Sequence, residues 1–211
     1  MLAPMILVGQ YDSPFVRRVG ISLRVLGFDY QHDQRSVFGD FDSMRQTNPL
    51  GRIPSLVLDD GAVLIDSAAI VDWLDQEVGP ARALLPAAGP ARREALQRIA
   101  LATGVVDKAG AGAYERMIRP PAYRWPAWIE RCRTQAAGAL AALAAETWPE
   151  DAPLDQAQIT TACALRYVQM ADPGLLPAGR YPSLDALSRR LEARPEFQAT
   201  YPPDVVYPQG G

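Results

Sequence analysis

Histidine, lysine and cysteine are nearly missing from this chain, and each shortage closes off a chemistry. His32 is the only histidine, so a serine nucleophile has no evident imidazole base with a third group to orient it. A transition-metal site built from imidazoles and thiolates lacks its ligands too, and no metal is expected. Lys108 is the only lysine, and the arginines are scattered rather than clustered. With a formal net charge of -3 and a pI near 5.2, there is no concentrated basic face for nucleic acid. Cys132 and Cys163 fall far apart in helix-like segments without a C-x-x-C partner, so buried, reduced thiols are expected. No apolar run approaches the roughly 20 residues of a membrane span. The start, M-L-A-P-M-I-L-V-G, reads as a first strand and not as a secretory signal. A cytoplasmic location with no membrane partner is the resulting expectation.

What is present is the material of a globular protein: 211 residues, 48% hydrophobic and 21% charged, enough for one large or two small domains. Residues 5–8 form a short apolar run. Residues 14–26 carry apolar side chains compatible with a helix that stops at Gly27. Phe28, Tyr30 and His32 alternate with polar neighbours as a second strand, His32 being read as a sheet-edge residue. In S-L-V-L-D-D-G-A-V-L-I two β-type runs meet at Asp60-Gly61, a strong hairpin signal. Asp66-Ser67 opens another helix that ends near Gly79-Pro80. Strand, helix, strand, short helix, hairpin and helix together suggest a small α/β domain with a mixed sheet over 1–78. A Pro/Gly/Ala-rich linker follows at 79–90, and from 91 to 211 the pattern is all-helical, with helices over 91–118, 124–147, 155–170 and 183–193. Asp155 with Gln158 three residues on has the chemistry of a capping box, worth about 1 kcal/mol for the cap itself.

Ser13 poses the functional question. In Y-D-S-P-F, Tyr11 to Phe15, a serine before a proline before an apolar-periodic segment is what helix physics alone selects, because the hydroxyl caps an orphan amide and proline suits the first turn. Three segments carry a resemblance beyond that: Ser13-Pro-Phe-Val-Arg-Arg-Val19, Asn48-Pro-Leu-Gly-Arg-Ile-Pro54 and Ile65-Asp-Ser67. In this order and spacing they resemble the amino-terminal domain of cytosolic glutathione transferases, and Arg194-Pro-Glu-Phe197 with the Asp155 cap resembles their helical domain. Asp107-Lys108-Ala109, Glu115 and Arg119-Pro120 look most like a bacterial, serine-type, YibF-like branch. The cap departs from the family's usual serine or threonine with aspartate, but keeps its hydrogen-bond logic. The resemblance implies a thioredoxin-like α/β domain followed by an all-α domain, and a homodimer.

It also implies roles. The nucleophile would be the thiol of glutathione, taken as co-substrate. An ordinary cysteine thiol near pKa 8.5 is only about 3% ionised at pH 7, and lowering it to about 6.5 asks for about 2.7 kcal/mol. A hydroxyl bonded to a charged acceptor supplies on the order of 1.5–3 kcal/mol and a helix amino end about 0.3–1. Ser13 offers both, with Tyr11 as the alternative donor. The resemblance places Phe15, Ile53 and Pro54 in the glutathione site, Pro54 as a cis proline that exposes the backbone of Ile53 to the tripeptide in the manner of an added strand, while Arg52 either attracts the glycyl carboxylate or is simply solvated. Ser67 at a helix amino end suits the γ-glutamyl carboxylate, and Asp66 either meets the ammonium group or only orients the turn. By spacing alone, Asp107, Ala111, Tyr114 and Glu115 share a face of the first long helix, which either serves a second, electrophilic substrate at Asp107, Ala111 and Tyr114, with Tyr114 as a pocket wall, or packs helix on helix. The expected activity is conjugation or thiol-dependent peroxide reduction. An isomerase is disfavoured because the serine-cysteine-rich motif of that branch is missing, and protein-thiol redox chemistry because position 13 is not cysteine. The rival reading is a non-catalytic binding protein of the same fold.

Overall fold

The computed structural model describes residues 4–202. The chain divides into two compact units, 4–87 with 194–202 and 88–193. In the first, β1 (Met5–Val8), α1 (Pro14–Leu26), β2 (Tyr30–Asp33), α2 (Phe41–Thr47), β3 (Ser55–Val57), β4 (Val63–Leu64) and α3 (Ser67–Val78) follow in order. The sheet order is β2-β1-β3-β4, with β1 and β2 parallel, β3 antiparallel to β1 and β4 antiparallel to β3. This is the mixed, thioredoxin-like sheet expected. His32 lies on the edge strand β2, and Asp60-Gly61 turns the hairpin with Leu58 N–H bonded to the Ala62 carbonyl at 2.8 Å.

α1 begins and ends by local chemistry. Pro14 occupies its first turn, and Gly27 closes it in the left-handed region (φ 80°), giving its N–H to Arg24 and Leu23 carbonyls. Its apolar positions Val16, Val19, Leu23 and Leu26 join Leu7, Val8, Met44, Leu56, Ile70 and Leu74 in a core that is 0–4% exposed. α1 and α3 pack together in this unit.

Residues 194–202 were read as the tail of the helical part, yet they fold with the first unit. The short helix α8 (Pro195–Gln198) is held there by Arg17, a guanidinium that is 1% exposed. Arg17 Nε donates to the Thr200 carbonyl (3.1 Å) and Nη2 to that of Phe197 (3.2 Å), and the guanidinium lies 5.7 Å from the ring centres of Phe197 and Tyr201. A buried cation is tolerable only with such acceptors.

The second unit holds α4 (Gly89–Met117), α5 (Pro126–Ala144), α6 (Gln156–Ala171) and α7 (Pro182–Glu192). α4 packs against both α5 and α6 through small residues. At Gly110 a Cβ would come 3.1 Å from the Tyr167 hydroxyl. The Asp155 cap forms as expected, its carboxylate accepting from Gln158 N–H at 2.7 Å. Cys132 and Cys163 are free thiols and buried. Among the described residues no helix is long and apolar enough to cross a membrane.

Candidate functional site

Register gathers the candidate residues of the first unit at one end of its sheet. Val8, the last residue of β1, pairs with Ser55, the first of β3, and Leu56 pairs with Leu64 at the end of β4. The chain leaving β1 towards Ser13, the chain entering β3 through Ile53-Pro54, and the chain leaving β4 through Asp66-Ser67 therefore emerge side by side. The Ile53–Pro54 peptide is cis.

Gly9 sets how closely two of these segments approach. Its φ is 126°, and a Cβ there would lie 2.7 Å from Ile53 Cβ and 2.7 Å from Val16 Cγ2. Ile53 thus rests against the first turn of α1 across a bare glycine. This role was not foreseen; its only signal was a glycine ending the first apolar run. Asn48, quoted only as part of a motif, is 2% exposed and shapes the loop before Pro54: its Nδ2 donates to the Arg52 carbonyl at 2.7 Å and its Oδ1 accepts from Leu50 N–H at 3.0 Å.

Ser13 is the N-cap of α1, but a weak one. Val16 N–H reaches its Oγ at 3.4 Å, beyond the usual 2.7–3.2 Å range. That bond occupies a lone pair, and the hydroxyl proton has no acceptor among the described residues. A donor is thereby left at a helix amino terminus, where positive potential collects. Phe15, on the same turn, lies under the Arg18 guanidinium at 6.0 Å.

At α3 Asp66 is the N-cap, its Oδ1 accepting from Ala68 N–H at 2.9 Å. Ser67, 3% exposed, begins the helix, where backbone N–H groups have no intrahelical acceptor. Arg52 is exposed and contributes its carbonyl to Asn48.

Tyr11, the alternative donor, packs along α1 away from its amino end. Its ring is stacked on His32 with centroids 4.0 Å apart, its hydroxyl shares a 2.8 Å hydrogen bond with that of Tyr30, and it packs over Gly20. Gly20 lies two turns along α1 from Ser13, about 10 Å at the helical rise. Burial first, and then the Tyr30 hydroxyl, push the Tyr11 phenol up from its ordinary pKa. His32 is structural as well, donating from Nε2 to the Gly9 carbonyl at 2.7 Å.

The electrophile-site candidates lie in the second unit. Asp107, Ala111 and Tyr114 occupy one stripe of α4, with Asp107 and Tyr114 exposed. Glu115, beside them, is turned inward, accepting from Arg119 Nε at 2.8 Å and from Trp125 N–H at 3.0 Å. These bonds, Arg119 first, hold its carboxyl below the usual range.

Known proteins resemble this chain in sequence and in fold. The glutathione S-transferase N-terminal domain model matches residues 7–82. The GST-like protein YibF of Escherichia coli (strain K12) is 31% identical over 206 residues, covering 94% of this chain and 99% of that protein. The chain belongs to the glutathione S-transferase family. A solved glutathione transferase family member from Pseudomonas fluorescens Pf-5, with bound glutathione, is 37% identical to this family member with a TM-score of 0.85, covering 94% of this chain and 99% of that one. A maleylacetoacetate isomerase of Pseudomonas aeruginosa is 36% identical over 105 residues, 47% of this chain and 49% of the isomerase.

Proposed function

We propose that this family member is a glutathione-dependent transferase in which Ser13 stabilises the thiolate of the bound tripeptide. The observation that carries the reading is the Ser13 hydroxyl, loosely bonded as a cap at 3.4 Å and with its proton uncommitted, at the amino end of α1 and in the same first turn that Ile53 approaches across Gly9. The Ile53 backbone takes the cysteinyl part of glutathione, and the amide and hydroxyl of Ser67 take the γ-glutamyl carboxylate, with Pro54, Phe15 and Arg52 around them. Asp107, Ala111 and Tyr114 are the proposed contacts of a small hydrophobic electrophile. The same sulfur would serve conjugation or peroxide reduction. The protein is expected to act in the cytoplasm as a homodimer, and detoxification is the role this chemistry fits.

Glutathione-bound relatives support the tripeptide as ligand. The isomerase relatives favour a second reading, in which the same thiolate adds reversibly to a substrate and leaves again. Against it, Tyr11 to Phe15 reads Y-D-S-P-F, without the serine-cysteine-rich motif. Calorimetric titration with glutathione tests binding: heat with saturation in the millimolar range or tighter is expected, and none would favour the rival reading, a non-catalytic protein of this fold that binds something other than glutathione. Ser13→Ala tests the mechanism. The bound thiol, followed by thiolate absorbance, should titrate at least about 1 unit higher without the hydroxyl. An unchanged thiol titration and unchanged turnover would remove Ser13 from the mechanism.

A further inference from the structure

The helical unit carries a groove lined by none of the residues assigned above to glutathione or the electrophile. It lies between α5 and the segment 174–181 that leads into α7, with a volume of about 320 Å³, at the small end of the range for ligand sites. Arg133 and Arg180 line it, and its apolar lining comes from Ala137, Leu175 and Pro177.

Both arginines are held in place, yet neither has its donors satisfied. Arg133 Nε stands 3.6 Å from Oδ2 of Asp172, a carboxylate only 7% exposed, and the same oxygen has Arg116 Nη1 at 3.8 Å. Both separations exceed hydrogen-bond range, so one carboxylate faces two guanidiniums. Among the described residues Arg133 makes no hydrogen bond, and its five N–H donors are unused. Its position is nevertheless defined: a Cβ on Gly174 would lie 2.8 Å from Arg133 Nη2, so the guanidinium rests against backbone that only a glycine leaves open. Arg180 Nε donates to the hydroxyl of Tyr181 at 3.1 Å, and its guanidinium lies 5.5 Å from the centre of that buried ring. The rest of its fork has no acceptor among the described residues. Glu130 also lines the groove, but no ion pair joins it to either arginine.

We propose that this groove binds a small organic carboxylate, its oxygens taken by the guanidinium donors of Arg133 and Arg180 and its apolar body covering Ala137, Leu175 and Pro177. A guanidinium fork matches a carboxylate in shape and forms charge-assisted hydrogen bonds with it. The site is a second one, independent of whether Ser13 activates a thiol. A neutral molecule of the same shape gains the apolar contact but leaves the arginine donors unmatched. A bare oxyanion meets the arginines and leaves the apolar lining wet.

Benzoate is the probe, titrated by calorimetry into the full chain at low salt, with benzamide and inorganic phosphate as comparisons. Benzoate should saturate in the millimolar range or tighter, and the other two should bind at least about tenfold more weakly. Arg180→Ala, at an exposed position, should lower benzoate affinity about tenfold. Gly174→Ala keeps both arginines and displaces only the far end of Arg133; it should weaken benzoate at least about threefold while the melting temperature stays near that of the wild type. Absence of saturation well above the millimolar range overturns the proposal. Equal binding of benzamide removes the arginines from it, and equal binding of phosphate removes the organic acid. Benzoate affinity unaltered in either variant places the ligand elsewhere and overturns it as well.

Discussion

Replacing Gly9 with alanine tests the geometry of the site most directly. Two costs add. The backbone sits at φ 126°, where an L-residue is strained by about 1–3 kcal/mol. The new methyl would also lie 2.7 Å from Ile53 Cβ, 2.7 Å from Val16 Cγ2 and 2.9 Å from Ile53 Cγ2. None of these atoms is the far end of a flexible side chain, so relief requires backbone movement, and overpacking of this kind costs about 1–3 kcal/mol. The sum, about 2–6 kcal/mol, is a large part of the roughly 5–15 kcal/mol stability of a typical protein. Urea unfolding followed by far-ultraviolet circular dichroism should show a midpoint lowered by about 1–3 M for a slope near 2 kcal/mol/M. The overlap also moves Ile53 away from α1, so glutathione affinity should fall by more than tenfold in whatever fraction remains folded. A variant within about 1 kcal/mol of the wild type, with unaltered affinity, would refute the close approach across Gly9.

Arg17→Met keeps much of the side-chain volume but deletes both hydrogen bonds to the Phe197 and Thr200 carbonyls. A loss of about 2–4 kcal/mol is expected, with faster amide exchange concentrated in 194–202; unchanged exchange there would mean that the guanidinium does not hold α8. Glu115→Gln bears on pH dependence. A carboxyl whose folded pKa is depressed contributes stability that is present above its unfolded pKa and is lost as pH falls through the folded value. The melting temperature of Glu115→Gln should therefore be lower than that of the wild type at pH 7, with the gap closing as pH drops below the ordinary glutamate range; a gap constant from pH 7 to 3 would sink the assignment.

Several candidate residues were legible because their signals are local. Ser13-Pro14 and Gly27 bound α1, Asp60-Gly61 turns the hairpin, and Asp66 and Asp155 cap α3 and α6, each through contacts within a few residues that the order of residue types specifies. The mixed sheet followed from the alternation of these elements. Tyr11 illustrates the limit. Its nearness to Ser13 in sequence suggested a shared site, but a side chain goes where its body can be buried, and the ring found His32 and Gly20.

Long-range partners were beyond the sequence for a related reason. Nothing in the run 194–202 announces that its carbonyls satisfy a buried guanidinium some 180 positions earlier, and nothing in Gly9 says which two side chains will press on it. Composition and local order decided which segments become helix or strand and where each begins, since those choices are settled by neighbours along the chain. Which residues meet at the open end of the sheet was decided only by tertiary packing, because strand register and close approach depend on atoms that the sequence sets far apart.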